Sequence, residues 1–63
     1  MQYKVKWSEL TKEQKTRATE NYQAIRETEE GKPCSLNRAK KNVPYCNGFW
    51  LETNDPDYLE VEI

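Results

Sequence analysis

Apolar and polar residues alternate near both ends of the chain. In the segment QYKVKW, Tyr3, Val5 and Trp7 alternate with polar residues, which is the period-two pattern of a strand with one buried face. The pattern predicts a first strand over residues 2–7. The segments FWLET and YLEVEI are two further strand-like runs. The residues NDPD between them favour a tight turn, so we predict a C-terminal hairpin.

The middle of the chain has the spacing of an amphipathic helix. Thr11 can accept a hydrogen bond from the backbone N–H of Gln14 while the Gln14 side chain reaches back, which is the spacing of a capping box. Gly31 tolerates the left-handed conformation that ends many helices. These signals predict a helix over residues 12–30. Its apolar stripe is narrow and consists of Leu10, Ala18, Tyr22 and Ile25.

A second, short helix is predicted over LNRAKKN, residues 36–42. Ser35 can cap its first turn, and Pro44 excludes its continuation. The predicted order of elements is therefore β-α-(short α)-β-β. The length favours a single domain over residues 1–63.

Charges on the strands predict how they pair. Lys4 and Lys6 line the outer face of the first strand, and Glu60 and Glu62 line that of the third. Opposite charges on neighbouring strands are favourable. We therefore predict an α+β fold with a three-stranded antiparallel sheet of order 1-3-2, packed on one long helix. The helix would cover Tyr3, Val5, Trp7, Leu59, Val61 and Ile63, and the other sheet face would be open.

Composition limits what this fold can do. The chain has 63 residues, of which 35% are apolar and 33% charged, so its core must be small. It contains no apolar run of the roughly 20 residues that span a membrane and no pattern of a secretory signal. We therefore expect a cytoplasmic protein with no membrane partner. With two glycines in all, the chain offers no glycine-rich phosphate loop.

The two cysteines, Cys34 and Cys46, could form a disulfide, bind a metal or act as a catalytic nucleophile. A disulfide across these 13 residues would stabilise by roughly 3 kcal/mol, but thiols usually stay reduced in the cytoplasm. Structural zinc normally needs four Cys or His ligands, and the chain has no His. A catalytic thiol would lack a base that titrates near neutrality. We expect reduced cysteines that pack as small apolar residues, Cys46 beneath the hairpin and Cys34 near the surface.

The end of the chain is acidic and aromatic. After Lys41 there are five acids and no base, and Trp and Tyr are enriched at binding hot spots. So small a domain has little depth for a catalytic cleft. We predict a non-enzymatic interaction or regulatory protein, a monomer or weak homodimer, without cofactor or metal. It would bind a protein partner through the sheet face and hairpin at Trp50, Glu52, Asp55, Asp57 and Tyr58.

A DNA-binding regulator is the alternative. Helix, turn, short helix and hairpin also follow one another in a winged-helix module. In that interpretation Arg38, Lys40 and Lys41 lie on the recognition helix, and the hairpin is the wing. The acids of the hairpin would repel phosphates, so we expect a nucleic-acid partner less than a protein partner.

One segment carries a resemblance. In WSELTKEQKTRATENY, residues 7–22, an extended aromatic start is followed by Glu9-Leu10-Thr11, a lysine-rich first turn, Ala18 and Tyr22. The segment resembles the opening of many small uncharacterised proteins of phages and bacterial mobile elements. The resemblance implies a bacterial or mobile-element accessory protein, and it implies no active site.

Overall fold

Three strands and two helices make up the fold, and the computed structural model describes all residues from Met1 to Ile63. The strands form one antiparallel sheet, and the long helix packs against it. The predicted α+β class is therefore confirmed. In chain order the elements are β1 (Gln2–Val5), a 3-10 turn (Trp7–Glu9), α1 (Lys12–Glu30), α2 (Leu36–Asn42), a second 3-10 turn (Val43–Tyr45), β2 (Gly48–Glu52) and β3 (Asp55–Glu62).

Both helices begin and end where the sequence predicts. The Thr11 hydroxyl accepts from the backbone N–H of Gln14 at 3.1 Å, and the Gln14 side chain accepts from the backbone N–H of Thr11 at 2.9 Å. Gly31 has a φ of 66°, the left-handed conformation that ends α1 at little cost for glycine. At the start of α2, the Ser35 hydroxyl accepts from the backbone N–H of Arg38 at 3.2 Å.

The strand order differs from the prediction. The order is β1-β2-β3, so the predicted 1-3-2 is wrong, and β2 is the central strand. Lys4 does pair with Glu62, at 3.1 Å between Nζ and a carboxylate oxygen, but it reaches across β2 to do so. Gly48 makes the crossing possible, because a Cβ at this position would lie 2.7 Å from the Lys4 Cγ.

Two strand boundaries also differ. β1 ends at Val5, because Trp7 enters a 3-10 turn in which the Leu10 amide donates to the Trp7 carbonyl at 3.1 Å. β3 already begins at Asp55, so most of the predicted NDPD turn is strand. A register irregularity between Leu51 and Glu52 accommodates the extra residues of β3.

The core lies between α1, α2 and the half of the sheet that includes β3. α1 contacts β3 and has no comparable contact with β1. Tyr3 is therefore 46% exposed. Ile63, which follows the last residue of β3, is 38% exposed, and the predicted burial of these two residues is wrong. Trp7 is half-buried against Phe49, with ring centroids 5.5 Å apart. The buried apolar residues are Leu10, Ala18, Tyr22, Cys34, Ala39, Val43, Phe49, Leu51, Leu59 and Val61.

The two edges of the sheet have different surroundings. At the β3 edge, the Asn21 side-chain amide donates to the Leu59 carbonyl, and the Arg17 guanidinium donates to the Asp57 carbonyl, both at 2.8 Å. These side chains come from α1 and occupy hydrogen-bonding positions that a further strand would need. No helix lies along the β1 edge in this way.

The crossing of Lys4 over Gly48 predicts a coupling between the two positions. Gly48→Ala forces the Lys4 stem to move, because the new methyl group occupies its path. In a Lys4→Ala background the path is empty, and Ala should then be at least as stable as Gly because it lowers the entropy of the unfolded chain. Urea melts of the two single variants and the double variant should show a coupling of about 0.5–1 kcal/mol in the free energy of unfolding. Additive effects would contradict the crossing.

Candidate functional site

One face of the sheet is not covered by any helix. Strand register and the alternation of side chains place the apolar residues Phe49, Leu51 and Leu59 towards α1, and the intervening residues on the opposite side. We call this opposite side the outer face. Its residues are Gln2, Lys4, Gly48, Trp50, Glu52, Tyr58, Glu60 and Glu62.

The two aromatic residues of the predicted partner site lie on the outer face. Trp50 is half-buried, and the Lys4 ammonium stands 5.8 Å from the centre of its indole ring, within the range of a cation–π contact. The Tyr58 hydroxyl donates to Glu60 at 2.5 Å and accepts from the Gln2 side-chain amide at 2.9 Å. The hydrogen bond to Glu60 raises the pKa of Tyr58.

The three acids of the predicted site have separate environments. Glu52 is on the outer face and pairs with the Met1 ammonium, which lowers the pKa of the Glu52 carboxyl. Asp55 accepts from the backbone N–H of Asp57 at 3.1 Å, at the hairpin end of the sheet. Asp57 turns towards α1, where its carboxylate lies 3.4 Å from the Arg17 guanidinium.

The structure thus brings Trp50, Glu52 and Tyr58 together on one face and places Asp55 and Asp57 at its margin. Gln2 and Lys4 of β1 also contribute to that face. The alternation in QYKVKW already placed them on the side of β1 that faces away from the apolar residues.

The basic residues of the alternative site do not share one surface. Arg38 makes two hydrogen bonds of 2.8 Å to the Glu30 carboxylate. This pairing raises the pKa of Arg38 and lowers that of Glu30, and it joins the end of α1 to α2. Lys40 faces a groove between the helices, and Lys41 is exposed and does not line that groove.

The groove beside Lys40 is the largest concavity, with a volume of about 430 Å³. Its three lysines, Lys12, Lys15 and Lys40, take part in no ion pair. The Lys15 ammonium lies 5.6 Å from the centre of the Trp7 ring. The sequence alone does not reveal this cluster, because only the packing of α2 on α1 brings Lys40 near the other two. The lining residues are Trp7, Lys12, Lys15, Thr16, Thr19, Glu20, Leu36 and Lys40.

Both cysteines are free thiols. Cys34 is part of the core, so its predicted position near the surface is wrong. The Gln23 side-chain amide donates to the Cys34 carbonyl at 2.7 Å and holds the connection between the helices against α1. Cys46 is half-buried as it packs against the core, and burial raises the pKa of its thiol.

Two further observations concern metals and membranes. No three side chains among the Cys, Asp and Glu residues are gathered as ligands for a metal ion would be. Neither helix combines the length and the apolar composition needed to span a bilayer.

The burial of the thiols predicts their reactivity. In native protein at neutral pH, Cys46 should react slowly with a thiol reagent, because its raised pKa leaves little thiolate. Cys34 should react only on unfolding, since its side chain is in the core. A Cys34→Ser variant and a Cys46→Ser variant, each followed by thiol titration with and without urea, separate the two rates. Faster native reaction at Cys34 than at Cys46 would contradict the arrangement.

No family model matches the chain, and no solved structure matches it. The resemblance of the segment from Trp7 to Tyr22 to small phage and mobile-element proteins stays a prediction. The outer face and the groove are therefore the two candidate sites for function.

Proposed function

We propose that the protein is a small non-enzymatic binding domain whose outer face receives a protein partner. The observation that carries the proposal is the presence of Trp50 and Tyr58 on a sheet face that no other element of the chain covers. Both side chains are half-buried, so they are held in place and still offer surface to a partner. Aromatic residues of this kind dominate the energetics of many interfaces.

The polar residues around the aromatics support the same proposal. Glu60, Glu62 and Lys4 are exposed, which resembles the polar rim that surrounds the centre of a protein interface. Acids outnumber bases on this face, and Asp55 and Asp57 extend the negative charge to the hairpin. The matching partner surface is therefore basic, with apolar groups that cover the indole of Trp50. Charge complementarity of this kind mainly accelerates association and makes it depend on salt.

We propose no catalytic role for these carboxylates. General acid–base catalysis needs carboxyl groups whose pKa values are shifted by a desolvated cleft. Here Asp55, Asp57, Glu60 and Glu62 are exposed to solvent. The proposal includes no cofactor. It keeps the cytoplasmic location as a prediction.

Substitution of the aromatics tests the outer face. Trp50→Ala and Tyr58→Ala should each leave the fold intact and weaken partner binding about tenfold or more, as at interface hot spots. Tyr45→Ala is the matched control, because Tyr45 is 85% exposed and lies outside the sheet. The measurement is capture of a partner from a lysate by immobilised protein, then titration of the purified partner by isothermal calorimetry.

Circular dichroism and urea melts of the same variants keep the test interpretable. A variant that unfolds would show that its side chain belongs to the core and would remove the proposed site. Equal binding by Trp50→Ala, Tyr58→Ala and the parent chain would also contradict the proposal.

Nucleic-acid binding is the second candidate, and the groove favours it more than the predicted set of Arg38, Lys40 and Lys41. Three lysines without an ion pair line the groove together with Trp7, and Lys15 lies against its ring. Single-stranded nucleic acids bind where basic side chains accompany aromatic ones. Arg38 is occupied by Glu30.

A labelled oligonucleotide tests this second candidate. Single-stranded and duplex probes should bind at about 50 mM salt and dissociate steeply as salt rises, because phosphate contacts release counterions. Lys15→Ala and Lys40→Ala should weaken binding, whereas Lys41→Ala should change it little. Absence of binding at about 50 mM salt would remove the candidate.

A further inference from the structure

The free edge of β1 presents backbone groups that are not used within the sheet. The Thr53 amide donates to the Met1 carbonyl at 3.0 Å, so Met1 directs its backbone groups towards β2. Because these directions alternate along a strand, Tyr3 and Val5 also face β2, whereas Gln2 and Lys4 face outward. The outward N–H and C=O groups of these two residues form a short row that another strand can join.

This edge also lacks the protection that exposed strands usually have. An edge lysine normally obstructs pairing with another strand. Here the Lys4 side chain leans away from the edge, over Gly48, to reach Glu62 on β3. At the opposite edge, by contrast, the side chains of Arg17 and Asn21 occupy the carbonyls of β3.

We propose that β1 pairs antiparallel with β1 of a second copy of this chain, which joins the two sheets into one of six strands. The inference goes beyond the proposed function, because it uses the edge of the sheet and not its outer face.

The sequence of β1 favours a second copy of this chain as the partner that pairs with this edge. With the two-fold axis at Tyr3, Gln2 of one copy stands opposite Lys4 of the other, and the outward backbone groups of both positions meet as hydrogen-bonded pairs. No lysine faces a lysine, so the register avoids the repulsion of like charges across strands.

The same register accounts for an exposed aromatic residue. Tyr3 would stand opposite Tyr3 of the second copy in a non-hydrogen-bonded pair, where side chains approach most closely. Tyr3 is 46% exposed in the single chain because α1 does not cover β1. Pairing would cover the ring and form an aromatic cross-strand contact, which is favourable in sheets.

The wild-type protein tests the proposal directly. A contact of one short strand pair lies well below the roughly 1,200 Å² of ordinary stable interfaces, so we expect a transient dimer that is monomeric near 10 µM and largely dimeric near 1 mM. Sedimentation equilibrium measures the association. Amide hydrogen exchange by NMR should show that the Lys4 and Gln2 amides gain protection at the higher concentration, while amides of β3 do not change.

Gln2→Pro isolates the edge, with Gln2→Ala as the matched control. Proline removes the outward N–H of Gln2 and is tolerated at the first position of an edge strand. Both variants lose the side-chain contact with Tyr58, and only Gln2→Pro loses half of the hydrogen bonds between the copies. We expect dimerisation to weaken at least tenfold in Gln2→Pro and to persist in Gln2→Ala.

Three results would overturn the proposal. The first is a wild-type protein that stays monomeric at about 1 mM, the concentration at which the proposed dimer should predominate. The second is a dimer in which the Lys4 amide gains no protection. The third is equal dimerisation of folded Gln2→Pro and Gln2→Ala. If Gln2→Pro does not fold, the exchange measurement on the wild-type protein decides alone.

Discussion

The shortage of apolar side chains on α1 constrains the whole structure. The helix has 19 residues, yet only Ala18, Thr19 and Tyr22 of it are buried. So narrow a stripe can cover one strand and its neighbour but not a three-stranded sheet. The helix therefore lies along β3, and this placement leaves the β1 edge and Tyr3 in contact with solvent.

The second helix completes what α1 cannot cover alone. Ala39 and Val43 add buried surface beside α1, and Cys34 fills the space at the connection between the helices. The bidentate pair of Arg38 and Glu30 joins the second helix to the end of α1. Arg38, which the sequence offered as a DNA contact, thus forms an ion pair within the fold. The three lysines of the groove form no ion pair.

Local signals in the sequence predicted the helices because caps and breakers act within a few residues. Thr11, Gly31, Ser35 and Pro44 are sufficient for that purpose.

Strand order could not be predicted in the same way, because it depends on how far a side chain reaches. The lysines of β1 and the glutamates of β3 were expected to attract each other across adjacent strands. Lys4 does pair with Glu62, but the two strands are not adjacent. A glycine in the strand between them allows a long side chain to cross it, and the pattern of charges does not reveal this. Alternation alone did not decide whether Trp50 or its neighbour Phe49 lies on the open face, because that depends on the strand register. The lysine groove likewise needed the packing of two helices.

The capped edge of β3 has a consequence for solubility. A sheet with two open edges can add copies at both sides, and such head-to-tail addition has no natural end and leads to fibres. Because Asn21 and Arg17 occupy two carbonyls of the β3 edge, a strand-to-strand contact between copies is favoured at the β1 edge of both partners. A pair that uses the β1 edge of both copies leaves no free β1 edge for a third copy. Two side chains of α1 thus disfavour the polymerisation of this small sheet.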